Sequence, residues 1–513
     1  MSDAADRGFT VTEMAPMDQT IDASRETTAA FIGRALRGPL NEPVLLHDFG
    51  EFRRRFGDTW SRSSLGPAAY QFFEHGGRRL YVIRVANSAR GAMVCLPASG
   101  SALVLRALEP GSTEHIRAAV DFDGIDNDDL FNLALQRIDP ATGLVCDQEL
   151  YRNAHYQLNE RSFIGDLLLT SSIARLESPL PTHRPEATSG SDLPIDSAYV
   201  DATQLGTDGA ELSDYDLVGS RRAETGLFAL EQVDQFDLLY LPPPGKGRDV
   251  GPTSVLAAER YCRERSAMLV VDPALAWQTP GDALDGIRER GYASPNIVGY
   301  FPRMRHRYDD DTPPRAIGGA IAGLLCKLDR TAGAWQTLDR DGLRLNRNLV
   351  PASPIDADEQ SVLIRKGLNP IVSGPAGAAR ISGDVTMGCG SGSQREFAAL
   401  SARRLCLQIV AAIRQATRWA VFEALDAGLA ERIQNQVTAY LADLVELGAF
   451  ENDRFFVTCD AGLSNRTDIL EHGVTILITF QPSGSNERVS VTIHQTIEGC
   501  RVASTAFGPA GGE

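Results

Sequence analysis

The run FFEHGGRRLYVIRV, residues 72–85, places an aromatic pair, two glycines and an alternating apolar segment in direct succession. The spacing of Pro67–Glu74 predicts a helix, and the two glycines end it at its C-terminal side. Leu80–Val85 alternates as a strand and carries Arg84 between apolar residues. Because glycine tolerates a tight reversal, the helix can lead directly into a core strand. This unit therefore predicts the N-terminal part of a layered core of helices and strands.

The segments on both sides extend this pattern. Upstream, Thr28–Ile32 predicts a buried strand and Phe49–Phe56 a short helix. Downstream, residues 216–345 alternate helical and strand patterns, and Met268–Asp272 is apolar enough for a strand covered on both faces. The fold class is thus predicted as α/β (α+β), with a mixed sheet and flanking helices built from N- and C-terminal segments.

Composition shifts divide the chain further. The stretch Leu176–Asp216 is rich in Ser, Pro, Asp and Thr without periodicity, which is typical of loops. Near the C-terminus we predict helices at Arg404–Thr417 and Gly428–Leu447 and a strand at Trp419–Glu423, followed by further strands to Gln495. We predict six segments: an N-terminal extension (1–27), an N-terminal core part (28–86), an inserted, outward-facing domain (87–215), an α/β middle domain (216–359), a C-terminal core part (360–498) and a Gly-rich tail (499–513).

Length and charge exclude several classes of protein. The chain has 513 residues, 43% of them hydrophobic, which suggests roughly three domains at about 150 residues each. Its formal net charge of −17 argues against a nucleic-acid binder, because phosphate contacts need clustered Lys and Arg. We expect no secretion signal in MSDAADRGFTVTEM and no membrane insertion. The eight scattered cysteines, without a CxxC pair, predict free thiols in a reducing compartment.

The sequence contains no recognised motif for metal binding, phosphate binding or nucleophilic catalysis. No His has the spacing of a metal ligand, and Asp121–Asp129 (DFDGIDNDD) lacks the Gly and terminal Glu of a calcium loop, so it is interpreted as a solvated acidic turn. Gly388–Ser393 lacks the Lys-Ser/Thr of a phosphate loop, and GxSxG does not occur. We predict no catalytic residue, cofactor or metal site. The enzyme alternative would require a convergent pocket with perturbed titrating groups.

The 72–85 run closely resembles the pattern of the phage tail sheath family. Residues 30–35 (AFIGRA) and 38–43 (GPLNEP) match the same family upstream. Further similar stretches follow in the family's order: Glu224–Val233, Leu238–Pro243, Ala320–Leu324, Asp329–Trp335, Gly367–Ile371, Arg403–Glu423 and Phe455–Asp460. The resemblance covers the chain except about 90–215, while GFTVTE at 8–13 and ISGDVTM at 381–387 depart from the family pattern.

The resemblance implies a structural subunit that polymerises helically in stacked rings around an inner tube. Contraction then drives the tube through a target envelope. The implied partners are further copies of the chain, the inner tube protein, and baseplate and terminal cap proteins. The implied location is a phage tail or phage-tail-like particle, such as a tailocin or an extracellular device, assembled in the bacterial cytoplasm. A baseplate or terminator ring protein, or a divergent sheath paralogue, remains the alternative.

In this family, terminal extensions add strands to the sheets of neighbouring subunits. Two segments, Phe9–Met14 and Arg488–Gln495, are candidates for such lacing. Adding a strand pairs the free N–H and C=O groups of a sheet edge. The alternative is that both strands pair within their own chain. The candidate residues are Phe9, Val11, Glu13, Val489, Val491 and Ile493.

The predicted helix Gly428–Leu447 is the candidate for the surface that faces the tube. Its charged residues carry a net negative charge, which a basic tube surface would complement. The alternative is a core-packing helix with an ordinary solvated side. The charged residues are Glu431, Arg432, Asp443 and Glu446.

Overall fold

The computed structural model describes residues 21–22, 26–140, 142–188, 198–308, 313–339, 343–374, 378–390, 397–422, 427–463, 472–496 and 499–507. The chain divides into two compact units. The larger unit holds residues 26–332 and 337–400, and the smaller holds 333–336 and 401–513 together with the N-terminal residues to 25.

The described α-helices and strands are named in chain order. The helices are α1 (Phe49–Phe56), α2 (Leu65–Glu74), α3 (Ile164–Leu167), α4 (Asp214–Val218), α5 (Pro252–Arg265), α6 (Pro280–Arg290), α7 (Gly318–Ala332), α8 (Ala357–Arg365), α9 (Leu400–Ala416) and α10 (Ala427–Glu446). The strands are β1 (Ala29–Gly33), β2 (Val44–Leu46), β3 (Leu80–Arg84), β4 (Met93–Ala98), β5 (Ser101–Ala107), β6 (His115–Asp121), β7 (Leu130–Ile138), β8 (Val145–His155), β9 (Ala174–Glu177), β10 (Val200–Asp201), β11 (Leu238–Tyr240), β12 (Met268–Val271), β13 (Ile297–Phe301), β14 (Met304–His306), β15 (Leu349–Pro351), β16 (Asn369–Ser373), β17 (Ala379–Ile381), β18 (Phe450–Leu463), β19 (His472–Pro482), β20 (Arg488–Thr496) and β21 (Gly499–Phe507).

The helix–turn–strand unit forms as the 72–85 run predicts. Gly76 has φ 99°, and its N–H bonds the Phe73 carbonyl, while the Gly77 N–H bonds the Phe72 carbonyl, a Schellman ending of α2. A Cβ on Gly77 would lie 2.3 Å from the Phe72 ring, so this position admits only glycine. The ring itself is fully buried and packs edge-on against Phe31 at 5.5 Å. The glycines therefore set both the reversal and the close packing of helix on strand.

An eight-stranded mixed sheet organises the larger unit, in the order β17-β16-β13-β12-β11-β1-β3-β2. The six inner strands are parallel, and the two edge strands β2 and β17 are antiparallel to their neighbours. All five residues of β1 are buried, as expected for a parallel strand covered on both faces. The sheet unites strands from segments 28–86, 216–359 and 360–498, and the predicted mixed α/β class is confirmed. The division into six domains stays a prediction.

Residues 87–215, called the insert below, form two antiparallel sheets over a common apolar core. One sheet has the order β4-β5-β9 and the other β10-β6-β7-β8. Strand β7 is buried along most of its length because both of its neighbours and the core cover it. Strand β8 is an edge strand whose first four residues are exposed, which leaves no apolar alternation for sequence reasoning to detect.

The smaller unit packs helices against the antiparallel sheet β18-β19-β20-β21. Two predictions fail here. Arg418–Phe422 form a 3₁₀ turn and not a strand, because the Ala420 N–H bonds the Thr417 carbonyl and continues the winding of α9. Residues 499–507, assigned above to a Gly-rich tail, form β21, which pairs with β20 along its whole length.

Buried His75 at the end of α2 makes stability depend on pH. Its Nδ1 lies 2.8 Å from the Gln71 carbonyl, and its Nε2 accepts the Asn346 N–H at 3.1 Å, which requires a neutral ring. Burial lowers the pKa of His75 below its usual 6.5, and Lys327 acts in the same direction while Glu74 opposes it. The unfolded chain therefore binds this proton more readily. Stability is complete above about pH 6.5 and falls as the pH drops toward the folded pKa.

The variant His75→Gln tests this linkage, because its side-chain oxygen can replace the Nε2 acceptor without titrating. Urea unfolding midpoints between pH 7.5 and 5 should fall less for the variant than for the wild type. Equal pH dependence of the two proteins would contradict the role of His75.

Candidate assembly surfaces

The strand candidates near the C-terminus lie in the interior of a sheet. Val489, Val491 and Ile493 of β20 are fully buried on the face that contributes to the core of the smaller unit. Both edges of β20 are paired with strands of the same chain, β19 and β21. Lacing through β20 therefore stays a prediction, and it requires that β19 or β21 be exchanged between copies. Phe9, Val11 and Glu13 lie outside the described residues.

The outer strands β18 and β21 are the edges of this sheet. Within the described part of the chain, neither has a strand on its outer side. The edges are long, 14 residues in β18 and nine in β21, so each presents a row of main-chain groups to an incoming strand. The candidates Val489, Val491 and Ile493 lie in β20, whereas the edges open to an added strand within the described residues are those of β18 and β21.

Helix α10 places the tube-facing candidates on its solvent side. Its buried stripe includes Leu429, Ile433 and Val437, and the four charged candidates are exposed on the opposite side. The Arg432 guanidinium lies over the Trp419 ring, 5.3 Å from its centroid, so this cation is held by its own chain. The exposed carboxylates are those of Glu431, Asp443 and Glu446.

The carboxyl ends of the parallel strands are where α/β sheets usually bind ligands. Here they hold a buried polar cluster. The Tyr240 hydroxyl donates to Asp272 Oδ2 at 2.5 Å, and Oδ1 of the same carboxylate accepts the N–H groups of Ile317 and Gly318 at the start of α7. Burial raises the pKa of Asp272, and it also raises that of Tyr240.

The cavity beside this cluster is too small for a substrate. It has a volume of about 20 Å³ and is lined by Asp272, Arg303, Asp249 and neighbouring apolar side chains. Arg303 donates to the Pro273 carbonyl at 2.7 Å and to Asp249 at 2.5 Å, so its charge is already engaged. A cavity of this size holds about one water molecule. The perturbed groups therefore hold the start of α7 against the sheet.

Two arginines that leave the sheet at the same edge fasten the insert. The Arg84 guanidinium is buried and donates to the carbonyls of Ala35, Gly38 and Pro110 at 3.1, 2.6 and 2.5 Å. Burial lowers the pKa of Arg84 to about 10. Arg34 donates to the carbonyls of Asp208 and Gly209, in the returning end of the insert, at 2.7 and 3.0 Å. We call these contacts of Arg34 and Arg84 the insert joint.

The described residues offer neither a metal-binding cluster nor a membrane-spanning helix. They contain no group of three or more His, Cys, Asp or Glu side chains arranged to hold a metal ion. Among the helices described, none has the length and apolar character to cross a bilayer.

Comparison with known proteins identifies the fold. Neither the protein-family models nor the curated proteins include a match. Among solved structures, a sheath tail protein from Listeria innocua matches with a TM-score of 0.63 at 15% identity, covering 95% of this chain and 96% of that one. A sheath tail protein from Desulfitobacterium hafniense matches with a TM-score of 0.54 at 14% identity, over 96% of this chain and 100% of the other. The contracted sheath complex of PVC, an extracellular contractile injection system, gives 0.52 at 12% identity, over 94% and 96%.

These likenesses extend over nearly the whole of both chains, so they include the insert as well as the core. The resemblance deduced from the 72–85 run is thereby confirmed at the level of the fold: the chain has the fold of tail sheath proteins.

Proposed function

We propose that the chain is a structural subunit of a contractile sheath, which polymerises helically around an inner tube and contracts to drive it through a target envelope. The full-length likeness to sheath tail proteins carries this proposal, since it covers 95% of the chain. The buried cluster at the carboxyl ends of the strands fits a structural role, because Tyr240 and the N–H groups at the start of α7 all bond the Asp272 carboxylate. The particle would be a phage tail or a phage-tail-like device.

Lacing would use the C-terminal sheet. The open edges of β18 and β21 can accept the N-terminal segment around Phe9–Glu13 of a neighbouring copy, or β21 itself can be exchanged. Main-chain pairing of this kind is strong but indifferent to side-chain identity. It would keep copies connected while the units shift between the extended and contracted states.

Helix α10 would face the inner tube. The exposed charges on this helix are the carboxylates of Glu431, Asp443 and Glu446 and the single guanidinium of Arg432, so the face is net negative. We therefore expect the tube protein to present a basic surface opposite α10. Baseplate and terminal cap proteins would contact the end rings of the polymer.

The test is co-expression of the full chain with an inner tube protein from the same genome, followed by negative-stain microscopy. A sheath subunit gives long striated tubes that shorten and widen on contraction. Short closed rings would favour the baseplate or terminator alternative. Dispersed monomers in the presence of assembled tubes would overturn the proposal.

The same assay tests the tube-facing helix. We expect the double variant Glu431→Lys/Glu446→Lys to lose co-sedimentation with tubes by at least about tenfold, because it reverses two charges at the contact. The matched control is Glu160→Lys/Glu186→Lys, two exposed glutamates of the insert. Normal co-sedimentation of the α10 variant, or equal losses in both, would contradict this placement of α10.

A further inference from the structure

A groove of about 640 Å³ lies between helix α1 and the loops at one end of the insert. Arg37, Arg53 and Arg54 line it together with Asp58 and Asp139. Arg53 lies 3.2 Å from Asp58 and neutralises it, while Arg37 donates to main-chain carbonyls at the end of α1. Arg54 is exposed and makes no side-chain hydrogen bond or ion pair with the described residues. Among the described residues of the groove, Arg54 is therefore the cation that has no side-chain partner, and Arg37 is bonded to neutral carbonyls and not to a carboxylate.

The acidic turn Asp121–Asp129 connects β6 to β7 and contains no Lys or Arg. Asp123 and Asp126 are exposed and have no side-chain partner among the described residues. Asp128 is fully exposed and lies 3.8 Å from Arg184, the nearby cation. This turn carries five aspartates, so most of its charge is uncompensated.

The groove and the turn lie at opposite ends of one rigid ribbon. Strands β6 and β7 pair from His115↔Ile138 to Asp121↔Asn132. The groove residues Thr113 and Asp139 flank the first of these pairs, and the acidic turn closes the last. Strand β6 has seven residues, about 20 Å at 3.3 Å per residue. A turn held at this distance cannot enter the groove of its own chain, but it can enter that of another copy.

We propose that the acidic turn of one copy docks into the arginine groove of a second copy. The contact joins two different surfaces of the same chain, so it is heterologous and adds copies head to tail, either in a ring or in an open helix. A chain with net charge −17 repels its own copies on average, and such a local match of opposite charges overcomes this repulsion at one orientation. The contact is independent of the strand exchange and of the tube-facing helix.

Charge reversal tests the contact on the full-length chain by sedimentation velocity in 50 mM salt. We expect the groove variant Arg53→Glu/Arg54→Glu and the turn variant Asp126→Arg/Asp128→Arg each to weaken self-association by about tenfold or more. Mixing the two variants should restore association, because the acidic groove of one variant then faces the basic turn of the other, and the unchanged turn of the first faces the unchanged groove of the second. Raising the salt to 500 mM should weaken the wild-type contact in the same sense.

The matched control for the groove variant is Arg260→Glu/Arg288→Glu. It changes the net charge by the same amount as the groove variant, at two exposed arginines on α5 and α6. Circular dichroism confirms that each variant is folded. The proposal is overturned if the groove and turn variants associate like the wild type, if the control loses as much, or if the mixture of folded variants stays dissociated. If the groove variant formed striated tubes of normal length, the proposed contact would be ruled out and the proposed sheath function would still stand.

Discussion

Replacing Arg84 by methionine is expected to lower the free energy of unfolding of the larger unit by about 3–5 kcal/mol. The guanidinium is buried and satisfies carbonyls of Ala35, Gly38 and Pro110, which a methionine would leave without a donor. Each buried acceptor left unpaired costs about 1–3 kcal/mol. Urea unfolding followed by circular dichroism measures the loss, and protease sensitivity within residues 87–215 should rise with it.

The control for this variant is Arg78→Met, in the same sequence run. Arg78 is exposed, so its replacement should change the free energy of unfolding by no more than about 0.5 kcal/mol. A loss below about 1 kcal/mol in Arg84→Met would show that water can replace the guanidinium and that the insert joint is not held by this side chain.

Truncation after residue 498, which removes β21, is expected to abolish striated tubes while the larger unit stays folded. The truncation deletes one edge of the C-terminal sheet and any strand that copies could exchange. The paired truncation after Phe507 removes only residues 508–513 and should assemble normally. Negative-stain microscopy of both, beside the full chain, gives the result directly.

The truncated chain needs one further check, because β21 also covers part of the smaller unit. Adding a synthetic peptide of residues 499–507 should restore the unfolding transition of that unit without restoring tubes, since a free peptide connects no copies. Tubes of normal length from the chain truncated after residue 498 would contradict a role of β21 in lacing.

The sequence predicts the core elements where periodicity and glycines act together. The α2–β3 unit can be predicted from the FFEHGGRRLYVIRV run because the turn needs glycine at Gly76 and Gly77, and both glycines are visible in the sequence beside the helix that they end. Strand β12 was recognisable because burial on both faces demands a continuous apolar run. Fold class and family resemblance follow from such segments.

Other elements depend on partners that are distant in the sequence. Strand β21 (GCRVASTAF) is rich in small residues with low strand propensity, and its pairing with β20 makes it a strand. Trp419–Phe422 is a short apolar run, which periodicity alone does not assign to strand or helix. The groove is lined by residues 37, 53–54 and 139, which are far apart in the sequence, so no local sequence pattern predicts it.

The insert joint has a consequence for how this protein can vary. Arg34 and Arg84 hold the insert through main-chain carbonyl oxygens, which every amino acid supplies. The loops that they hold can therefore vary in sequence where the backbone path is kept. Gly209 is the exception, because its φ is +73° and a Cβ there would lie 2.1 Å from the Asn87 carbonyl oxygen. We therefore expect the corresponding inserts of other proteins with the sheath fold to be graftable between positions 87 and 215, provided that Arg34 and Arg84 are retained.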